Sequence, residues 1–144
     1  MRLFIPERND VPQVTLIDML THGQSLRAEL KSGLKTEVLD VVGNAAGMSR
    51  TEFIKTLGLT ERTLARRMKQ ERLSQNESEA VARYAVVYDL AMEVFQWDEQ
   101  AVLHWMRTPL AILAGETPNQ ALGSESGARD VMSVLEGIQN GVVM

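Results

Sequence analysis

Proline is confined to the two ends of this 144-residue chain, at Pro6, Pro12, Pro109 and Pro118, so nothing from Gln13 to Thr108 interrupts a helical backbone except glycines and capping residues. Few runs alternate with period two, and β-branched residues are scattered rather than clustered. Strands therefore have little support, and the chain is expected to be all-α. Residues 1–12 are expected to form a loose leader.

Helix starts can be placed from their caps. Ser49 with Glu52, and Ser74 with Glu77, fit the capping box, in which a Ser oxygen accepts the third residue's amide while the Glu reaches back. Thr108-Pro109 and Thr117-Pro118 set a capping hydroxyl before a proline at the first helical position, and Asp98 can cap the segment containing Trp105. Gly47, Gly58, Gly115, Gly123 and Gly141 stand where a preceding helix could stop in a left-handed turn. The longest helix is expected from about Asn76 to Phe95. Its apolar positions Val81, Tyr84, Ala85, Tyr88, Ala91, Met92 and Phe95 recur at three and four, forming one stripe that reads as core and makes this helix a spine between two halves.

Several function classes fall away early. No apolar run reaches eighteen residues and the amino terminus lacks a signal-peptide pattern, so the chain is expected to stay in the cytoplasm with no membrane partner. Without Cys there is no disulfide, thiolate metal site or thiol nucleophile. The two histidines, His22 and His104, are far apart, so no metal site is expected. His104 as a general base would need an oriented partner and a substrate pocket, and Asp98-Glu99 is explained by a helix start, where negative charge suits the helix dipole. Catalysis and a catalytic residue are therefore not expected.

Charge points elsewhere. Between residues 50 and 72 there are seven Lys or Arg against three Glu, whereas residues 73–144 carry three against ten acids. A short basic block in an acidic chain concentrates positive potential on one element, as contact with a phosphate backbone requires. That block, SRTEFIKTLGLTERTLARRMKQ from Ser49, holds a short amphipathic helix with Phe53, Ile54 and Leu57 inward, a turn at Gly58-Leu59, and a second helix capped by Thr60. The spacing is that of a helix-turn-helix, with Leu59, Leu64 and Met68 closing a small core. Leu64 and Met68 define the buried face of the second helix. Arg62, Arg66 and Gln70 lie opposite, with Thr63, Arg67 and Lys69 flanking, and these residue types suit guanine, adenine and phosphate contacts in a major groove. Thr60, Arg62, Thr63, Arg66, Arg67, Lys69 and Gln70 are thus the candidate DNA-binding residues. The bland alternative is a helical hairpin with a solvated basic face.

The carboxy-terminal half, from Tyr88 onward, carries Ala91 with Val94-Phe95, Ala101 with Trp105-Met106, Thr108-Pro109 followed by Leu113 and Gly115, and Thr117-Pro118 with Ala121-Leu122. It continues with Glu125 and Gly127, Val131 with Leu135, and Ile138 with Gly141. In this order and nearly without gaps it resembles the Xre/MbcA/ParS toxin-binding domain of antitoxins. The segment from Lys31 through Thr63-Leu64 and Arg66-Arg67 also looks like their Xre-type helical region, so the resemblance covers about four fifths of the chain. One departure is Gln96, where the family more usually has Gly after the Phe, leaving the turn there open to a different shape.

The expected organisation is a leader and helix in 1–30, an Xre-like helix-turn-helix domain in 31–80 and a small helical toxin-binding domain in 81–144. The resemblance implies an antitoxin without a cofactor. It would neutralise a RES-domain, NAD-consuming toxin by occluding its active site, pair with itself as a homodimer, and repress its own operon by binding operator DNA. The apolar end after the last helix, Gln139, Asn140, Gly141, Val142, Val143 and Met144, is the candidate toxin-binding segment. The alternative is a stand-alone helix-turn-helix regulator whose second half senses a small molecule.

Overall fold

Side-chain caps delimit almost every helix in the computed structural model, which describes residues 14–141. Those residues form α1 (Leu16–Thr21), α2 (Leu26–Ser32), α3 (Val38–Ala45), α4 (Arg50–Thr56), α5 (Glu61–Gln70), α6 (Gln75–Val94), α7 (Glu99–Met106), a 3-10 turn at Ala111–Leu113, α8 (Pro118–Ala121) and α9 (Glu125–Gln139). Among the described residues the only β-type pairing is an isolated bridge between Lys35 and Arg72, so the all-α expectation holds. No helix among them is long and apolar enough to cross a membrane. The leader expected at 1–12 lies outside the described residues.

Thr15, Ser25, Ser49, Thr60, Ser74, Asp98, Thr117 and Ser124 each accept an amide of the following turn, which satisfies donors that a helix start would otherwise leave bare. The box at Ser74 is reciprocal: the Glu77 carboxylate accepts the Ser74 N–H at 2.8 Å. At Ser49 only half of the expected box forms, because the Glu52 carboxylate accepts from Arg107 instead. Thr117 caps α8, with Pro118 at its first position. Thr108-Pro109 starts no α-helix. The Thr108 hydroxyl donates back to the His104 carbonyl at 2.7 Å, closing α7, and a 3-10 turn follows with Leu110 at its cap. Gly47, Gly58, Gly115 and Gly141 adopt positive φ as expected, whereas Gly123 does not.

Packing is organised around α6. Val81, Tyr84, Ala85, Tyr88 and Ala91 of the expected stripe are buried, but so are Ala80, Ala82 and Val87, so the helix is enclosed on more than one side. Helices α1, α2, α3, α7 and α9 all pack against it. A single cluster of buried apolar side chains runs from Leu16 to Leu135, so the amino- and carboxy-terminal helices share one core with α6 through its middle. Polar ties fix the register. The Tyr84 hydroxyl donates to Asn119 Oδ1 at 2.6 Å, joining α6 to α8, and its ring meets Phe53 of α4 edge-on at 5.3 Å. The Asp89 carboxylate accepts the Leu16 and Ile17 amides at 2.8 and 3.1 Å and so holds the start of α1 on α6.

The turn at Gln96 keeps the shape that glycine would give. Gln96 N–H reaches the Glu93 carbonyl at 3.1 Å and Trp97 N–H the Met92 carbonyl at 2.6 Å, the paired bonds of a Schellman stop. Gln96 therefore sits at φ 56° and Trp97 at φ 64°, where a β-carbon is crowded. Gln96→Gly removes about 1–2 kcal/mol of that crowding and adds about 0.5–1 kcal/mol of unfolded-chain entropy. The expected net is a gain of roughly 0.5–1 kcal/mol, visible as a higher urea midpoint at unchanged slope. An unchanged or lower midpoint would contradict the strain.

Candidate functional site

Helices α4 and α5 meet across the four residues Leu57 to Thr60. Gly58 takes φ 78° there, the left-handed conformation that reverses the chain after one residue and that a side chain would resist. Phe53, Ile54 and Leu57 are buried as expected. Leu59, Leu64 and Met68 are only half-buried, and no residue of α5 is buried, so α5 lies on the molecule as an outer ridge. Its start is tightly made: Thr60 Oγ1 accepts the Thr63 amide at 3.1 Å and bonds the Thr63 hydroxyl at 3.0 Å.

Arg62, Arg66, Lys69 and Gln70 are exposed on this ridge and Thr63 is half-exposed, so the face anticipated from the helical wheel points to solvent. Arg67 is placed differently. Its guanidinium forms a two-bond ion pair with Glu77 of α6, at 2.7 and 3.2 Å, and bonds the Gln70 amide oxygen at 3.1 Å. Burial alone would raise the Glu77 carboxyl, but the bonds from Arg67 and Ser74 outweigh it and hold Glu77 below its ordinary value. Arg67 thereby fixes α5 to the spine, a role that neither the wheel nor the charge count indicated.

Two more cations of the basic block are held within the fold. Arg50 pairs with Asp40 of α3, whose carboxyl is lowered by that guanidinium, and Arg72 donates to the Gly33 carbonyl at 2.8 Å. Lys55, Arg62, Arg66 and Lys69 form no ion pair with any described residue and are exposed, so α5 and the end of α4 present a patch of unpaired cations to solvent, while Arg27, Lys31, Lys35 and Arg72 are exposed without an ion pair elsewhere. Glu61 and Glu71 at the two ends of α5 are exposed as well and bound that patch.

The carboxy-terminal helices grip α4 from the other side. Arg107, just after α7, donates to Glu52 at 3.1 Å and to the Gly47 carbonyl at 3.0 Å, and the backbone of Gly123 closes on that of Thr56. Between them lies an open cleft of about 540 Å³ lined by Met48, Lys55, Thr117 and Gln120 among others. The sequence held no signal for it. His104 is exposed in the last turn of α7. Asp98 is the cap of α7, accepting the Ala101 amide at 3.1 Å.

Helix α9 buries Ala128, Val131, Val134 and Leu135 and half-buries Ile138. Gln139, Asn140 and Gly141 are exposed at its end, with Asn140 as cap and Gly141 turning the chain at φ 80°. The rest of the candidate toxin-binding segment, Val142, Val143 and Met144, lies outside the described residues.

Residues 25–86 match the antitoxin Xre-like helix-turn-helix domain, and residues 90–141 match the antitoxin Xre/MbcA/ParS C-terminal toxin-binding domain. The two matches meet inside α6. The chain is 31% identical over 122 residues to an antitoxin Xre of Photorhabdus laumondii, covering 84% of this chain and 82% of that protein. It is 30% identical over 123 residues to an antitoxin Xre of Yersinia enterocolitica, covering 85% and 83%.

Proposed function

Because the chain belongs to the antitoxin Xre family and is a non-enzymatic antitoxin with a toxin-binding domain, we propose that its partner is a RES-domain toxin that consumes NAD, and that it acts in the cytoplasm by occluding that toxin's active site. The observation that carries the partner reading is the match of residues 90–141 to a toxin-binding domain whose last helix, α9, ends in the exposed Gln139, Asn140 and Gly141. Helix α9, packed on the shared core, presents Gln139, Asn140 and Gly141 to solvent. An apolar continuation, Val142 to Met144, gains by leaving water for a cleft on the partner. Neutralisation by occlusion needs no chemistry from the antitoxin and no cofactor. Co-expression tests it: the chain restores growth to cells making the RES-domain toxin encoded beside it, and continued arrest would refute the reading.

We further propose that the chain represses its own operon as a homodimer, laying one α5 from each copy into successive major grooves about 34 Å apart. Exposure of Arg62, Arg66, Lys69 and Gln70 supports that role, with Thr60 and Thr63 at the helix start facing the same side of the turn. Arg67 acts indirectly, by holding α5 on Glu77. Arg62→Ala and Arg66→Ala are each expected to weaken operator binding by about 1–3 kcal/mol if they contact base edges, or to flatten the salt dependence if they contact phosphate. Toxin neutralisation should be unaffected. Electrophoretic mobility shifts over a salt series measure this, and unchanged affinity and slope in both variants would exclude this face as the reader.

A further inference from the structure

Resting on the toxin-partner reading above, we infer that Ile112, at the tip of the 3-10 turn between α7 and α8, is a preformed apolar knob that seats in a recess on the toxin, separate from the carboxy-terminal segment. Ile112 is 58% exposed, and it is the one large apolar side chain among the described residues of the 90–141 segment that is exposed to such an extent. It does not stand alone. Pro109, Ala111 and Ala114, its neighbours along the chain, are exposed as well, and the charged Arg107 and Glu116 are exposed on either side of this stretch. An exposed apolar patch with a polar rim is the form a protein contact takes.

The tip is held as if for docking. Leu113 N–H and Gly115 N–H both bond the Leu110 carbonyl at 3.0 Å, Ala114 N–H bonds that of Ala111 at 3.0 Å, and Leu110 N–H reaches the Glu116 carbonyl at 3.0 Å. Buried Leu113 and half-buried Leu110 anchor the two sides of the turn in the core. Ala114 occupies φ 57°, a conformation costly for a residue with a side chain, so the loop holds one shape against local preference. A residue already fixed in this way loses little entropy when a partner closes over it. The occupant we commit to is the toxin, because the tip belongs to the segment matched to a toxin-binding domain and not to the helix-turn-helix segment.

Isothermal titration of the purified full chain into the purified RES-domain toxin tests this with Ile112→Asp, Ile112→Ala and Ile112→Leu. Asp is expected to weaken toxin binding about tenfold or more and Ala to weaken it less, while Leu binds nearly as the wild type does. Because the side chain is mostly in water, thermal midpoints and mobility shifts on operator DNA should stay unchanged. Wild-type affinity in the Asp and Ala variants would overturn the inference and leave the toxin reading standing. A change in oligomeric state by light scattering with toxin binding intact would overturn it too, by assigning the tip to a second copy of this chain. If the wild type itself does not bind the toxin, the toxin reading fails and the knob with it.

Discussion

Gly127→Ala is expected to lower stability by about 3 kcal/mol, shifting the thermal midpoint down by roughly 6–12 °C. Gly127 sits in the first turn of α9, where its amide bonds the Ser124 hydroxyl at 3.0 Å. The corner from α8 is so tight that an added β-carbon would overlap the Ala121 carbonyl oxygen and come within 3.0 Å of the Ser124 oxygen. The obstacle is backbone, which cannot rotate away, so α8 and α9 must separate. Separation would loosen Ala128, Val131 and Leu135 on one side and the bond between Asn119 and Tyr84 on the other. Differential scanning calorimetry reads the loss, and a midpoint within a degree of the wild type would mean that the corner is not as close as described.

Deleting Gln139 to Met144 is expected to abolish protection of toxin-expressing cells while leaving far-ultraviolet circular dichroism and operator binding close to those of the full chain. All the fully buried residues of α9 precede the cut, and Ile138, half-buried, stays. The truncation thus removes the exposed Gln139, Asn140 and Gly141 together with Val142 to Met144, and keeps every buried residue of α9. Full protection by the shortened chain would remove the tail from the mechanism, and a loss of helicity would show that the tail belongs to the fold.

What the sequence disclosed was local. The helix-turn-helix was legible because Ser49, Gly58 and Thr60 act within one turn of themselves. Thr108-Pro109 misled for a related reason. A hydroxyl before proline can accept an amide of the following helix or donate backward, and here it donates to the His104 carbonyl. Ion pairs were the larger omission. Arg67 with Glu77 and Arg50 with Asp40 are each ten residues apart on different helices, and Arg107 with Glu52 is fifty-five apart, so no helical wheel contains both partners. These pairs decide which cations of the basic block reach solvent, so the candidate DNA face could be outlined from sequence but not refined. Gly127 could be recognised only as a residue shared with a family pattern, since the carbonyl it accommodates is brought there by the turn between two helices. Nothing in the residue pattern announced the exposure of Ile112, which depends on Leu110 and Leu113 turning inward on either side of it.

Neutralisation of the proposed RES-domain toxin by stoichiometric contact can be followed by titrating the purified chain into that purified toxin and monitoring NAD. NAD consumption should fall in proportion to added chain and cease at a fixed molar ratio, with no consumption by the chain alone. Undiminished NAD consumption at a large molar excess of the chain would contradict it.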